Sequence, residues 1–325
     1  MQRGDYILKR TLFALLTVFV AITLNFVLFR ALPGDAVTGL KCHNCTIQFK
    51  TALRHDLGLD KSKWEQYVIY LKGLAHGDMG TTFISHKPVR GELWDPIKKT
   101  VAMIGLGTVF SIIFGIFTGV ISAWRRGTVM DKLSVWTALA FYSVPTQWLG
   151  LMIVYFVADR VGLPHGGIQS PDYGILGNPG TYDFLVDRTE HMILPALTLG
   201  LVLYGDYTLI VRSAMLETLG EDYVLTARAK GMSNWAIVWK HGFRNAMLPV
   251  VTLIALSLGF VIGGAIVVEV VFSYPGLGLL TFQALDSQDF LMLQGLFLFF
   301  TLAILVSNLF ADLLYSWFDP RVREA

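Results

Sequence analysis

The chain reads as an all-α integral membrane protein with about six transmembrane helices. Its composition, the length of its apolar runs and the placement of its Lys and Arg residues all point there. The 325 residues are 54% hydrophobic and 15% charged, with a mean hydropathy of +0.56, whereas a soluble domain carries about 25% charged residues. Crossing about 30 Å of hydrocarbon takes about 20 apolar residues. Runs of that kind occupy 11–30, 100–122, 134–157, 192–212, 249–270 and 290–316. Backbone groups in lipid must be satisfied within their own segment, so these are expected to be helices rather than strands.

The first run follows Arg3, Lys9 and Arg10. It is longer than a signal-peptide core and has no small-x-small cleavage site, so it is expected to stay as the first membrane helix. The long loop from Ala31 to Lys99 has soluble character. Trp64, Tyr67, Val68 and Leu71 lie at helical spacing there, and a Gly-Asp-x-Gly turn follows at Gly77 to Gly80. After the second run comes a short basic loop with Arg125, Arg126 and Lys132. The third run contains Pro145 and is followed by Arg160 and Arg188; Pro195 lies in the fourth. A polar, basic segment, Glu221 to Pro249, separates the fourth run from the fifth. No Lys or Arg lies between Val271 and Phe290, where the short apolar stretch Phe272 to Ala284 turns at Pro275-Gly276. Such a stretch is expected to dip back toward the outer surface where protein or water covers it.

The basic residues concentrate before the first run, after the second, after the fourth and at Arg321 and Arg323. The positive-inside rule therefore predicts that both termini and the Glu221–Pro249 loop are cytoplasmic. The Ala31–Lys99 loop, despite its charges, exceeds the range of about 60 residues over which loop charge sets topology. The formal net charge of +2 averages a basic inner face with a near-neutral outer one. Nothing suggests nucleic-acid binding.

Some residues invite sharper readings. Cys42 and Cys45, flanking His43 and Asn44, would close a small disulfide in an oxidising compartment. The pair would otherwise be idle thiols, and no second ligand pair in the sequence completes a metal site. Asp206 stands inside the fourth run, where an acid is costly and should face a cavity or partner. The translocation pathway and a structural hydrogen bond or ion pair both remain open for it. Glu269, near the end of the fifth run, suits either an outer gate or a polar position beside water. Asn308 and Asp312 can share one helix face and act as packing glue. The chain contains no Gly-Lys dipeptide and hence no Walker A loop. It has no HExxH or GxSxG motif either, which argues against a membrane-bound enzyme. A secondary transporter with Asp206 as its ion site would require broken helices in corresponding positions of two repeats, and these are not found.

The segment Glu221–Pro249 reads EDYVLTARAKGMSNWAIVWKHGFRNAMLP, a pattern that predicts a helix, a break at Gly231 and a second helix. Its alanine followed four residues later by glycine, Ala227 and Gly231, resembles the cytoplasmic loop of ABC-importer permeases. The general form of that motif has a glutamate where this chain has Leu225, and Ile-x-Leu-Pro where it has His241, Phe243 and Arg244. Both departures are similar to the wording of the oligopeptide/dipeptide and nickel permease family, B-type subunit. So are Leu32 to Asp35 (LPGD), Ser143 to Gly150 (SVPTQWLG), His191 to Gly200 (HMILPALTLG), Gly263 to Gly278 (GGAIVVEVVFSYPGLG) and Asp319 to Arg323 (DPRVR).

The resemblance implies a type I ABC-importer permease fold and a prokaryotic plasma (inner) membrane location. A first helix and its exported loop would occupy 1–99, the permease domain 94–317 and a cytoplasmic tail 318–325. The coupling loop would be 213–248, with Glu221, Asp222, Ala227, Arg228, Ala229, Lys230 and Gly231 contacting the ATPase. The implied partners are a second homologous permease, two cytoplasmic ABC ATPase subunits and an extracytoplasmic solute-binding protein. The chain itself would hold no cofactor, with ATP and Mg on the ATPase subunits. The implied cargo is a short peptide; oligosaccharides or nickel are the alternatives within the same machinery.

Overall fold

A computed structural model describes residues 3–31, 51, 54–55, 58–171 and 180–318, without the side chains of 3–9, 31, 248, 252, 255–264 and 310–318. Cys42, Cys45 and the Asp319–Arg323 motif lie outside the described residues. The helices run in the order α1 (Arg3–Ala31), α2 (Lys63–Ala75), α3 (Val89–Trp124), α4 (Val129–Ser143), α5 (Thr146–Ile153), α6 (Thr181–Leu219), α7 (Asp222–Ala229), α8 (Arg244–Val271), α9 (Leu277–Asp286) and α10 (Phe290–Phe318). A π-turn, Val154–Ala158, prolongs α5, and a second one, Ile237–Phe243, leads into α8.

Each of the six expected runs falls on helix. Among the described residues, Arg10–Arg30, Val89–Trp124, Thr181–Leu219 and Phe290–Leu309 are long and apolar enough to cross a membrane. The run 249–270 lies on α8, 28 residues long. The run 134–157 differs from the single helix expected: Val129–Ser143 and Thr146–Val161 meet at 105°. Pro145 causes the break, since it has no N–H to continue the ladder and drives the residue before it into extended backbone. Val144 accordingly has φ −74° and ψ 127°. Helices α3 and α6 also begin well before their apolar runs. Their first turns are polar, and hydropathy marks the lipid-crossing part of a helix rather than its length.

Helix α2 forms where the amphipathic spacing placed it, opened by a capping box in which Ser62 and Glu65 satisfy each other's backbone N–H. Trp64 is exposed, while Tyr67 packs back on α1 with its hydroxyl 2.7 Å from Thr23 Oγ1. Helix α1 leans in turn on α10, where Asn25 donates to the Gln294 carbonyl at 3.1 Å.

Helices α3 and α6 run parallel and pack closely along their length. Gly107, Ser111, Gly115 and Gly119 recur every fourth residue of α3 and are buried. A Cβ built on Gly107 would lie 2.6 Å from the Ala196 carbonyl oxygen, on Gly115 2.5 Å from Tyr207 Cβ and on Gly119 2.7 Å from Val211 Cβ. From the other side, a Cβ on Gly200 would lie 2.8 Å from the Phe110 ring. Small residues at this spacing let backbones approach where lipid gives no hydrophobic drive between helices. Thr118 and Thr208 hydrogen-bond across the seam at 2.9 Å. On its flanks sit two apolar cores, one around Met103, Leu149, Leu194 and Phe272 and the other around Val120, Met215, Val238 and Val250.

Gly115→Val should force α3 and α6 apart and lower the free energy of unfolding in SDS by about 1–3 kcal/mol. Gly105→Ala, at a position with open space around it, should leave that value unchanged. Equal stabilities for the two variants would contradict the seam.

Candidate coupling surface and its anchors

Helix α7 sits on the surface between α6 and α8 and is two-faced. Val224 and Ala227 are buried against Ile237, with Leu219 and Met232 packed around them. Glu221, Asp222, Leu225, Arg228, Ala229 and Lys230 are exposed. Ala227 therefore seats the helix on its own chain, and the free face belongs to its neighbours. Leu225, at 68% exposure, is the apolar residue among those charges. The helix ends at Gly231, whose φ of +72° is the left-handed C-cap conformation that glycine adopts at least cost. No atom of the described residues lies within 4 Å of a Cβ built there, so the backbone angle and not crowding within the chain demands glycine.

Ser233 then caps the next turn by accepting from Ala236 N–H, and the π-turn carries the chain into α8. The helix, glycine and second helix read from the sequence are all present. Tyr223 and Asn245 pin α7 to the start of α8, with Asn245 Nδ2 donating to the Tyr223 hydroxyl at 2.7 Å. Nearby, Gly242 is buried close to Met215 and Leu219 at the end of α6.

A polar clamp holds the same end of the helical body. The Arg212 guanidinium of α6 donates Nε to Asp131 Oδ1 at 2.7 Å and Nη2 to Oδ2 at 3.1 Å. Ser122 of α3 donates to Asp131 Oδ1 at 2.6 Å and accepts from Arg212 Nε at 3.1 Å, and Gly127 N–H donates to Oδ2 at 2.8 Å. One carboxylate thus ties α3, α4, α6 and the loop at Gly127 together. Sequence reasoning missed this clamp. The signals were there: Arg212 is a cation closing an apolar run, and Asp131 is the lone acid in the basic loop of Arg125, Arg126 and Lys132.

The two singled-out acids are not brought together. Asp206 is half-buried on α6, with no hydrogen bond or ion pair among the described residues. Glu269 is fully buried, which overturns its reading as a polar residue beside water. It is bonded to Thr100 of α3 and to the start of α9. Asn308 is exposed, and the side chain of Asp312 lies outside the described residues.

These elements define a multi-pass membrane protein whose helical body carries a short, exposed helix at one end. Residues 111–324 match the family described as the binding-protein-dependent transport system inner membrane component, and residues 3–104 match its N-terminal companion. The chain belongs to this family of ABC-importer permeases, in its oligopeptide/dipeptide branch. It is 37% identical to the dipeptide transport system permease protein of Escherichia coli (strain K12), over 98% of this chain and 99% of that protein. It is 35% identical to the dipeptide permease of Alkalihalophilus pseudofirmus, over 97% and 98%. Identity to the glutathione transport system permease protein of Escherichia coli (strain K12) is 34%, over 98% and 99%. Among solved structures, an inward-facing methionine ABC transporter matches with a TM-score of 0.55 at 17% identity, over 69% of this chain and 94% of that one.

Asp131→Asn should lower unfolding stability by about 2 kcal/mol, less than the ~3–5 kcal/mol of a fully buried pair because Arg212 keeps 25% exposure. Arg212→Met added to it should cost little more, since the two residues share one interaction. Additive losses in that double-mutant cycle would show the clamp to be incidental.

Proposed function

We propose that this chain is one of two homologous membrane-spanning subunits of an ATP-driven importer, forming half of the pathway for short peptides delivered by an extracytoplasmic solute-binding protein. The observation that carries the reading is the near full-length similarity to dipeptide and glutathione permeases. Membership of a binding-protein-dependent family favours ATP over an ion gradient as the energy source. The chain has no Walker A loop, so two cytoplasmic ATPase subunits bind ATP and Mg and hydrolyse the nucleotide. Both termini and α7 face the cytoplasm, and residues 31–99 lie outside. The permease unit is 94–317, preceded by a helix and exported loop (1–99) and followed by a short tail (318–325).

In this reading the exposed face of α7, from Glu221 through Gly231, is the ATPase contact. Leu225, the exposed apolar residue of that face, would be covered by the partner, with the exposed charges of Arg228 and Lys230 beside it. Helices α3, α4 and α6 form a frame locked by the glycine seam and the Arg212 clamp. Closing of the ATPases pushes α7, and the push passes through Tyr223 and Asn245 into α8, which tilts against the frame. Asp206, exposed in part and unpaired among the described residues, lines the pathway or meets the second permease. Glu269 is buried and bonded to Thr100 and to the start of α9, so any part it has in an outer gate is played through those two elements.

Leu225→Asp sets an acid where an apolar side chain would be covered, and desolvating an unpaired charge costs several kcal/mol. Gly231→Glu adds both bulk and an unfavourable left-handed residue. Both variants should insert normally yet lose the co-purifying ATPase, and dipeptide uptake into proteoliposomes should vanish. Retained ATPase and uptake in both would overturn the coupling assignment. Topology is checked separately, in a background without Cys42 and Cys45. An impermeant thiol reagent applied to intact cells should label Ser62→Cys and spare Ser233→Cys.

A further inference from the structure

Helix α9 is capped at its start by a carboxylate of α8, and a second buried carboxylate, in the loop after its end, ties the start of α10 to the turn at Phe83. The N-cap residue of α9 is Gly276, which has no side chain to satisfy the first N–H groups. Glu269 of α8 takes that role from a distance, its Oε2 accepting from Gly278 N–H at 2.6 Å and from Leu279 N–H at 3.2 Å. Thr100 of α3 accepts from Leu277 N–H at 2.8 Å and donates its own hydroxyl to Glu269 Oε1 at 2.6 Å. The carboxylate also faces the positive end of the α9 dipole. A Cβ on Gly276 would collide with Glu269 and Thr100, and one on Gly278 with the backbone of Ile266, so the fit leaves no slack.

At the other end, Asp289 follows α9 and is buried. Its Oδ2 accepts from Phe83 N–H and its Oδ1 from Met292 N–H, both at 3.0 Å. Burial pushes this carboxyl above the ordinary aspartate range, while the N–H donors oppose the shift. Phe83 belongs to a tight turn closed by the Thr81–Pro88 bridge and by Thr82 N–H donating to the Lys87 carbonyl at 3.0 Å. Among the described residues neither Glu269 nor Asp289 is paired with a cation. Ser273 and Gln288, on either side of α9, hold φ of +48° and +57°. Non-glycine backbone of that kind persists only where its surroundings enforce it, and it gathers at switch segments. One buried acid thus caps the start of the ten-residue α9, and the other fastens the loop that follows it to the turn at Phe83 and to α10, an arrangement of directional bonds on both sides of the helix.

We propose that α9 is a strut linking the outer end of α8 to the turn at 80–89, with Glu269 and Asp289 as its positioning residues, so that solute-binding-protein docking outside and α8 movement inside are one event. Helix α8 runs without a gap from Arg244, beside α7, to Val271. A tilt at its cytoplasmic end is therefore carried across the membrane to Glu269 and into α9. The proposal rests on the importer reading above.

The test uses the complete transporter in proteoliposomes, with a labelled dipeptide and its binding protein. Glu269→Gln removes the charge that faces the start of α9, and Asp289→Asn places an amide N–H₂ against an N–H donor, since both its oxygens accept from backbone N–H. Each should leave co-purification with the ATPases and the basal ATPase rate unchanged. Stimulation of that rate by loaded binding protein should fall about tenfold, within the usual range of site-to-site coupling. The double variant should be no worse than either single one, because both cut the same link. Unchanged stimulation, or a proportional fall in basal and stimulated rates, would overturn the strut. Should Glu269→Gln fail to assemble, Asp289→Asn, outside the membrane spans, carries the same expectation alone. An unmodified preparation without any ATPase partner would instead sink the importer reading, which keeps the two failures apart.

Discussion

The backbones of α3 and α6 touch because four small residues, Gly107, Ser111, Gly115 and Gly119, leave room for them. In lipid, two apolar helices gain little by meeting unless their atoms pack closely or share hydrogen bonds. The seam supplies both, through the bare glycine faces and the Thr118–Thr208 bond. Two further attachments of α3 follow from it. Ser122, one turn beyond Gly119 and Thr118, delivers α3 to the Asp131–Arg212 clamp. Thr100, two turns before Gly107, delivers it to Glu269 and α9.

Polar groups do the joining at both ends of this frame, while apolar packing fills its middle. The ends are where chain segments change direction and leave N–H and C=O groups without helical partners. Asp131 answers the loop at Gly127, Ser233 answers the start of the turn at Asn234, and Glu269 answers the start of α9. Helix α7 has no such side-chain cap at Glu221. It is held by the small cluster of Val224, Ala227 and Ile237 and by the Tyr223–Asn245 bond. A short helix seated so lightly, with its charged face outward, suits an element that receives a push and passes it to α8.

Most of the architecture was legible in the sequence, because crossing hydrocarbon demands long apolar runs and these are hard to hide. All six runs fall on helix, and the helix, glycine and helix around Gly231 were readable from alternating Ala and basic residues ending at a breaker. The 105° bend at Pro145 was not, since hydropathy averages over a break that leaves composition unchanged. The true starts of α3 at Val89 and α6 at Thr181 were hidden for the same reason, their first turns being polar but helical. The clamp escaped because Asp131 and Arg212 are 81 residues apart; pairing across the fold has no local pattern. Glu269 misled through its position near a helix end, which in a simple hairpin would meet water. Here α9 folds back and covers it. The small residues of α3 at four-residue spacing, Gly107, Ser111, Gly115 and Gly119, also escaped the sequence reading, since spacing alone does not say which helix they face.

The central claim is that α3 and α6 move as one body while α8 moves against them. In a variant lacking Cys42 and Cys45, Thr118→Cys and Thr208→Cys would place two sulfurs where the hydroxyls now sit 2.9 Å apart. Oxidation should then lock the seam covalently. The measurement is uptake of a labelled dipeptide by the reconstituted transporter before oxidation, after it and after reduction. The account predicts that uptake persists in the cross-linked state, because nothing at the seam has to open. Uptake abolished by oxidation and restored by reductant would contradict it, by showing that α3 and α6 separate during transport.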